Sequence, residues 1–151
     1  MYDRILVPTD GSSGIRGVIT HAMGLAEVHG AEVHGLYVVD TGSFATLPVE
    51  TTWDGVAERL REEGELALSD LEGLAGDIPT ETAVVEGNPS GEIVDYAREH
   101  GCDSIVMGTH GRGGIDRLLL GSVAERVVRA SSVPVVTVPV GDAEQSVDGP
   151  E

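Results

Sequence analysis

The chain has 151 residues, enough for one domain with a single core, and 40% of them are hydrophobic, as is normal for a globular protein. Its 26 acidic residues against 9 basic ones, all arginine, give a net charge of −17, which excludes the basic surface that nucleic-acid binding requires. No apolar run approaches the roughly 20 residues of a membrane helix, and the first residues lack the pattern of a signal peptide. The single cysteine, Cys102, excludes an internal disulfide. We therefore expect a cytoplasmic protein.

Segments with the period of a strand alternate with segments with the period of a helix along residues 2–140. Strands are predicted at residues 2–8, 32–39, 80–86, 103–107 and 133–140. Helices are predicted at residues 15–29, 54–76, 89–100 and 122–130. Residues 40–53 show no clear period and are predicted to form a loop. We expect one domain over residues 1–140, followed by a disordered acidic tail at residues 141–151.

The third helix has distinct signals at both ends. Asn88 is a favourable N-cap residue, and Pro89 suits the first helical position, where its missing N–H costs nothing. Gly101 follows the last turn, where glycine commonly ends a helix in the left-handed conformation.

Strand and helix alternate throughout, which predicts an α/β fold: a single-domain, open, mostly parallel five-stranded sheet with helices on both faces, Rossmann-like in architecture. Runs such as SIVMG and VPVVTV are almost wholly apolar, as expected for strands covered on both sides. In such sheets ligands bind beyond the carboxyl ends of the strands, where the strand order reverses. The predicted strand ends carry residues 9–10, 39–40, 87–88 and 108–109.

The acidic excess is not uniform along the chain. Residues 105–140 contain four arginines and two acids, a net charge of +2, while the remainder contains five arginines and 24 acids, a net charge of −19. The least acidic part of the chain therefore contains its most glycine-rich loop, and we expect an anionic ligand there.

That loop reads Gly108-Thr109-His110-Gly111, then nine residues, then Gly121-Ser122. Glycine lacks the Cβ that would hold a phosphate away from the main chain, and it permits the positive φ angles that turn N–H groups inward. The helix that follows would direct its unpaired amides and the positive end of its dipole at the same point. Ser122 and Glu125 also form a capping-box pattern, a structural role that is compatible with ligand binding.

The same residues resemble a known family. The spacing G-x2-G-x9-G-[ST], the preceding SIVMG and the following SVAERVVRASSVPVVTV are similar to the ATP-binding branch of the universal stress proteins. The resemblance extends from the opening ILVPTDGS through Gly87-Asn88-Pro89 to the last strand, and leaves out only residues 40–53 and the tail. It implies an adenine-nucleotide α-hydrolase-like variant of the Rossmann architecture.

The resemblance also implies a ligand site. Asp10 and Val38 would line the adenosine pocket, with Pro8, Thr9 and Met107 packed beside them. The ribose and phosphate turn and the phosphate cradle would be formed by Gly108, Gly111, Gly121, Ser122 and Val123. The ligand would be ATP, with ADP and AMP left open, accompanied by Mg²⁺ or Mn²⁺. A homodimer would form through the last strand, Val133 to Val140, whose apolar edge would otherwise be a liability.

Some side chains have two interpretations from the residues alone. The carboxylate of Asp10 suits ribose hydroxyls, and equally suits a cap for the helix that opens near Ser12. Arg112 and Arg117 could reach phosphates. For Arg117, a surface charge opposite Asp116 is at least as good an interpretation. The five histidines show no metal-ligand spacing, and Cys102 is interpreted as an ordinary buried thiol.

Four functions remain open at this stage. The first is a nucleotide-binding sensor or regulator, which is not an enzyme. The second is a slow ATPase or phosphotransferase, although the chain contains no lysine for a Walker A loop. The third is a flavodoxin-like electron carrier that uses residues 9–14 as its phosphate loop. The fourth is a dimeric stress protein that binds no nucleotide and acts only through partners.

The acidic excess indicates adaptation to a very salty cytoplasm. At about 1 M salt the Debye length shrinks to about 3 Å, so that the repulsion among acidic side chains is tolerated. We expect the free energy of unfolding, measured by urea denaturation, to fall steadily as salt is removed. A stability that stays constant between high and low salt would contradict this interpretation.

Overall fold

A computed structural model describes residues 1–12, 14–42, 53–109 and 121–140, with only the backbone described for Trp53 and Asp54. Its strands are β1 (Arg4–Pro8), β2 (Glu32–Asp40), β3 (Thr80–Gly87), β4 (Ser104–Gly108) and β5 (Val135–Val138). Its helices are α1 (Ile15–His29), α2 (Trp53–Ala75), α3 (Pro89–Glu99) and α4 (Ser122–Ala130). Every predicted element is present. Most of the predicted loop and the whole predicted tail lie outside the described residues.

The five strands form one open sheet in the order β3-β2-β1-β4-β5, and every pair is parallel. The predicted fold class is therefore confirmed. The order is that of a Rossmann half and differs from the flavodoxin order 2-1-3-4-5, so the topology contradicts the flavodoxin-like interpretation. The strand order reverses between β1 and β4, which places the topological switch point at their carboxyl ends.

Each face of the sheet is covered by its own pair of helices. On one face, Ile5, Val7 and Val106 pack with buried residues of α1 and with Leu71 of α2. The opposite face, with buried residues from β1, β2 and β4, packs against α3 and α4; its members include Leu6, Leu36, Ile105, Tyr96 and Val127. None of the helices in the described ranges is both long and apolar enough to cross a membrane.

Helix and strand ends agree with the sequence-based predictions where these depend on residues next to the end itself. The Asn88 side chain accepts a hydrogen bond from the amide of Gly91 at 3.2 Å, Pro89 is the first helical residue, and Gly101 has a φ of 67°. All three predictions for α3 are confirmed. The last strand is shorter than predicted because Pro134 and Pro139 flank it, and proline has no N–H with which to extend a ladder.

A buried histidine lies at the amino end of the sheet, opposite the switch point. His34 is 3% exposed, its Nδ1 lies 2.8 Å from the hydroxyl of Tyr96, and its Nε2 lies 3.4 Å from Oε2 of Glu32. A neutral ring with its proton on Nε2 satisfies both partners, since it donates to the carboxylate and accepts from the tyrosine. No pattern in the sequence indicated this cluster, whose members come from β2 and α3.

An arginine completes this cluster. Arg4 Nε donates to the Glu32 carboxylate, and its Nη1 donates to the carbonyl oxygen of His100 at 2.6 Å. The hydrogen bond from Arg4 lowers the pKa of Glu32. The His100 ring stacks on Tyr96 with a centroid distance of 3.7 Å. The start of β1, the start of β2 and the end of α3 are therefore joined by polar contacts.

Cys102 lies at the same end of the sheet. The side chain is buried, and burial raises the pKa of its thiol to about 11. Such a group stays protonated at neutral pH and is a poor nucleophile. The interpretation of Cys102 as an ordinary buried thiol is confirmed. Among the described residues, no group of three His, Cys, Asp or Glu side chains could hold a metal ion.

Tyr96→Phe tests the contribution of the buried histidine cluster to stability. The substitution leaves Nδ1 of His34 buried without its partner, so we expect the free energy of unfolding to fall by about 1–3 kcal/mol. Tyr2→Phe is the matched control, because the Tyr2 hydroxyl makes no hydrogen bond to a described residue. Urea denaturation of the three proteins measures the difference, and equal losses in both variants would contradict this account.

Candidate functional site

The candidate site lies where β1 and β4 end side by side. The two strands are paired through Ile5 with Ser104 and Leu6 with Ile105, so that Pro8 and Gly108 finish at the same edge of the sheet. After Pro8 the chain turns into α1 on one face, whereas after Gly108 it continues towards α4 on the other face. In open parallel sheets, ligands bind at such a point, where neighbouring connections leave towards opposite faces.

The turn after β1 is built by two side chains that bond the main chain. Thr9 is 6% exposed, its amide donates to the carbonyl of Leu36 at 2.9 Å, and its hydroxyl accepts from Gly11 N–H at 3.2 Å. The carboxylate of Asp10 accepts from Ser12 N–H at 2.9 Å, and Gly11 has a φ of 75°. These contacts are the local turns that threonine and aspartate typically form.

Asp10 therefore has a structural role, but not the one that the sequence suggested. The N-cap residue of α1 is Gly14, and no side chain of the described residues caps this helix. The expectation that Asp10 caps α1 is wrong, because its carboxylate bonds the amide of Ser12, before the helix begins. The turn holds the partly buried carboxylate at the switch point, at the place predicted for a ribose contact.

The residues expected around an adenosine share one face of the sheet. Val38 and Val123 are partly buried and pack against the cluster that contains the buried Met107. Pro8 pairs with Leu36 of the same cluster and lies on that face. The structure thus brings together an apolar wall from three strands and the first turn of α4.

The beginning and the end of the glycine-rich loop are joined directly. The amide of Gly121 donates to the carbonyl of Thr109 at 2.6 Å, so the two described residues that flank positions 110–120 are in direct contact. Gly111 and Arg112, with His110, Asp116 and Arg117, lie outside the described residues. Their predicted roles stay predictions.

α4 begins one residue earlier than the capping-box pattern indicates. The N-cap residue is Gly121, whose carbonyl accepts the first intrahelical hydrogen bond from Glu125 N–H at 2.9 Å, and among the residues that the structure describes no side chain caps the helix. Ser122 is the first helical residue and is exposed, so the predicted capping box is absent. As in any first helical turn, the amides of Ser122, Val123 and Ala124 have no intrahelical acceptor.

The two described glycines of the motif differ from expectation. Neither Gly108 nor Gly121 has a positive φ; that of Gly121 is −68° with ψ of 164°, an extended conformation open to any residue. The amide of Gly121 is already used by Thr109 and is not available to a ligand. The prediction that positive φ angles turn these amides inward is therefore wrong for both. The available donors are those of residues 122–124.

These amides lie at the positive end of the α4 dipole, which is equivalent to roughly half an elementary charge. Glu125, at the end of this first turn, pairs with Arg129 at 2.9 Å. Val123 of this first turn packs against the buried cluster that contains Met107, as does Val38. That combination suits a ligand with an apolar ring and a phosphate.

Thr109 is a residue that the sequence analysis did not place in the site. It follows Gly108 directly. Its amide bonds to Val138 of β5, its carbonyl to Gly121, the N-cap of α4, and its hydroxyl to Val140, which follows β5. The signal in the sequence that could have identified this residue was the position of a threonine between a buried strand and a glycine-rich loop. Its partners lie between 12 and 31 positions away in the chain, and no local pattern identifies them.

Comparisons with known proteins identify a family for this chain. The family model described as the universal stress protein family matches residues 1–139. The universal stress protein MJ0531 of Methanocaldococcus jannaschii is 42% identical over 140 residues, which cover 91% of this chain and 82% of that protein.

Two solved structures are similar along nearly their whole length. Protein MJ0577 of Methanocaldococcus jannaschii has a TM-score of 0.79 at 32% identity, with 95% of this chain and 99% of that chain covered. A universal stress protein solved in complex with cAMP has a TM-score of 0.71 at 25% identity, with 93% and 99% covered. From its sequence, its strand order and these likenesses, the chain belongs to the universal stress protein family.

Proposed function

We propose that this protein is a nucleotide-binding stress regulator that takes ATP at the carboxyl ends of β1 and β4, rather than an enzyme. The observation that carries the proposal is the juxtaposition of the uncapped first turn of α4 with the apolar wall that includes Val38 and Met107. The amides of residues 122–124 would receive the phosphates, and the apolar wall would receive the base. The cAMP complex of a relative supports an adenine nucleotide as the ligand class.

A divalent ion would accompany the triphosphate. Mg²⁺ keeps several waters and is usually bound through phosphates with one or two carboxylates, rather than by a protein cage. Asp10 is a partly buried carboxylate at the correct edge of the sheet, so the residues present fit a phosphate-bound Mg²⁺ or Mn²⁺. The ion would neutralise phosphate charge in a protein whose own net charge is −17.

The proposed setting is the cytoplasm of a cell with high internal salt. A buried thiol with a raised pKa suits a reducing compartment, and the acidic excess suits high salt. High salt would also screen the repulsion between an acidic surface and a polyanionic ligand, so binding should be measured under those conditions.

Ser122→Pro tests whether a helix-start amide contacts the ligand. Proline is favoured at the first helical position, and the extended backbone of Gly121 is compatible with a following proline, so the fold is expected to be retained. The variant lacks only the amide hydrogen at residue 122 and the serine hydroxyl. Because hydrogen bonds to charged groups contribute about 1.5–3 kcal/mol, we expect Mg-ATP affinity to fall roughly 10- to 100-fold.

Ser122→Ala is the matched control, since it keeps the amide and removes the hydroxyl; we expect its affinity to stay within about threefold of the parent protein. Calorimetry with Mg-ATP in high salt provides the measurement, and chromatography identifies any nucleotide released on denaturation. A parent protein that binds none of ATP, ADP, AMP or cAMP would refute the proposed function and favour a regulator that acts through partners alone.

We further propose that two copies pair through the segment Val133 to Val140. β5 is an edge strand of the sheet, and the carbonyls of Pro134 and Val138 accept at 3.0 Å from the amides of Ile105 in β4 and of Thr109, the residue after β4. In a parallel strand, every second residue directs its main-chain groups to the same neighbouring strand. Val135 and Thr137 alternate with the residues that bond to β4, so their main-chain groups are directed away from β4. These groups form an open edge to which a second copy can add.

Thr137→Pro removes the outward amide of residue 137 and leaves the β4–β5 hydrogen bonds in place, as proline does on an edge strand. We expect the parent protein to sediment as a dimer and this variant to shift towards monomer. Thr137→Val, which keeps the amide, should sediment like the parent. Equal association by all three proteins would exclude this edge as the contact.

A further inference from the structure

Thr109 uses all of its main-chain and side-chain polar groups to connect separate parts of the site. Its amide donates to the carbonyl of Val138 at 3.0 Å, and its carbonyl accepts from the amide of Gly121 at 2.6 Å. Its hydroxyl accepts from the amide of Val140 at 3.3 Å. One residue thus holds the end of β5, the segment that follows it and the N-cap of α4.

The Gly121 contact makes this arrangement relevant to the ligand site. Gly121 is the N-cap of α4, and its placement fixes the direction of the amides that follow it. The Thr109 carbonyl holds that glycine. The Thr109 hydroxyl in turn holds Val140, beyond the last residue of β5. A short hydrogen-bonded path therefore runs from the start of α4 through Thr109 to the chain after the edge strand.

We propose that Thr109 is a positioning residue that couples ligand binding at the start of α4 to the order of the chain after β5. The inference rests on the proposed function, because it concerns the same site. An anion bound by the amides of residues 122–124 would fix the N-cap, and with it Thr109 and Val140. By linkage, anything that orders the end of β5 would strengthen ligand binding to the same extent.

The path consists of hydrogen bonds, so its parts can be broken separately. Thr109→Val has the same shape and keeps both main-chain hydrogen bonds, but it leaves the Val140 amide without its acceptor. Thr109→Ser keeps a hydroxyl at the same position. A threonine with only a packing role would be replaced well by valine and less well by serine, whereas a coupling hydroxyl predicts the reverse order.

The experiment measures amide hydrogen exchange at Val140 by NMR, with and without saturating Mg-ATP, in the parent protein and the two variants. We expect Mg-ATP to slow exchange at Val140 in the parent and in Thr109→Ser but not in Thr109→Val. We also expect the affinity of Thr109→Val for Mg-ATP, measured by calorimetry, to be roughly three- to tenfold weaker, the range set by one ordinary hydrogen bond.

Val140→Pro provides a second test if Thr109→Val does not fold, because it removes the amide donor and leaves Thr109 unchanged. We expect the same three- to tenfold loss in that variant. If the parent binds Mg-ATP and neither variant differs from it in affinity or in ligand-dependent exchange, the coupling role is refuted while the proposed function stands. If the parent binds no nucleotide, the proposed function fails, and the coupling fails with it.

Discussion

The parallel pairing of β1 with β4 places two outgoing connections at the same edge of the sheet. α1 returns the chain to β2 on one side, and α4 returns it to β5 on the other, so the helices cover opposite faces. Strand order alone therefore defines this point of the sheet, whatever side chains lie there.

The polar groups at the two ends of the sheet differ in whether they have hydrogen-bond partners within the fold. At the amino end, Arg4, Glu32, His34 and Tyr96 form a compact polar cluster in which the groups satisfy one another. At the carboxyl end, the first turn of α4 has no side-chain cap, and the amides of that turn find no acceptor within the helix. Satisfied polar groups stabilise a fold, whereas groups directed at a crevice are available to a ligand. This separation allows the site to change without loss of the contacts that hold the strands together.

Local signals in the sequence were sufficient for much of the fold. α1 and α4 have the predicted bounds, and α3 is capped by Asn88 and followed by Gly101 as expected, because glycine, proline and asparagine act through the backbone next to them. The sequence also predicted the carboxyl ends of β1 and β4 to within one residue, and the helix that follows the loop. These predictions depend on residues within about one helical turn of each other.

The sequence was a poorer guide wherever a long-range contact decides. The capping box at Ser122 is absent because the Gly121 carbonyl already accepts the first helical hydrogen bond, and the Gly121 amide is occupied by a residue 12 positions earlier. The contact between His34 and Tyr96 spans 62 positions, and the one between Thr109 and Val140 spans 31. Such pairs depend on how strands and helices are arranged, and periodicity carries no information about them.

The contact between the Thr109 carbonyl and the Gly121 amide also bears on how the chain tolerates changes in length. It joins the two described residues that flank positions 110–120, so an insertion or deletion between these two anchors need not shift β4 or α4. The entropic cost of lengthening a segment whose ends are held together grows only slowly with its length. The same sheet and helices can therefore accept a longer or shorter sequence between the two anchors.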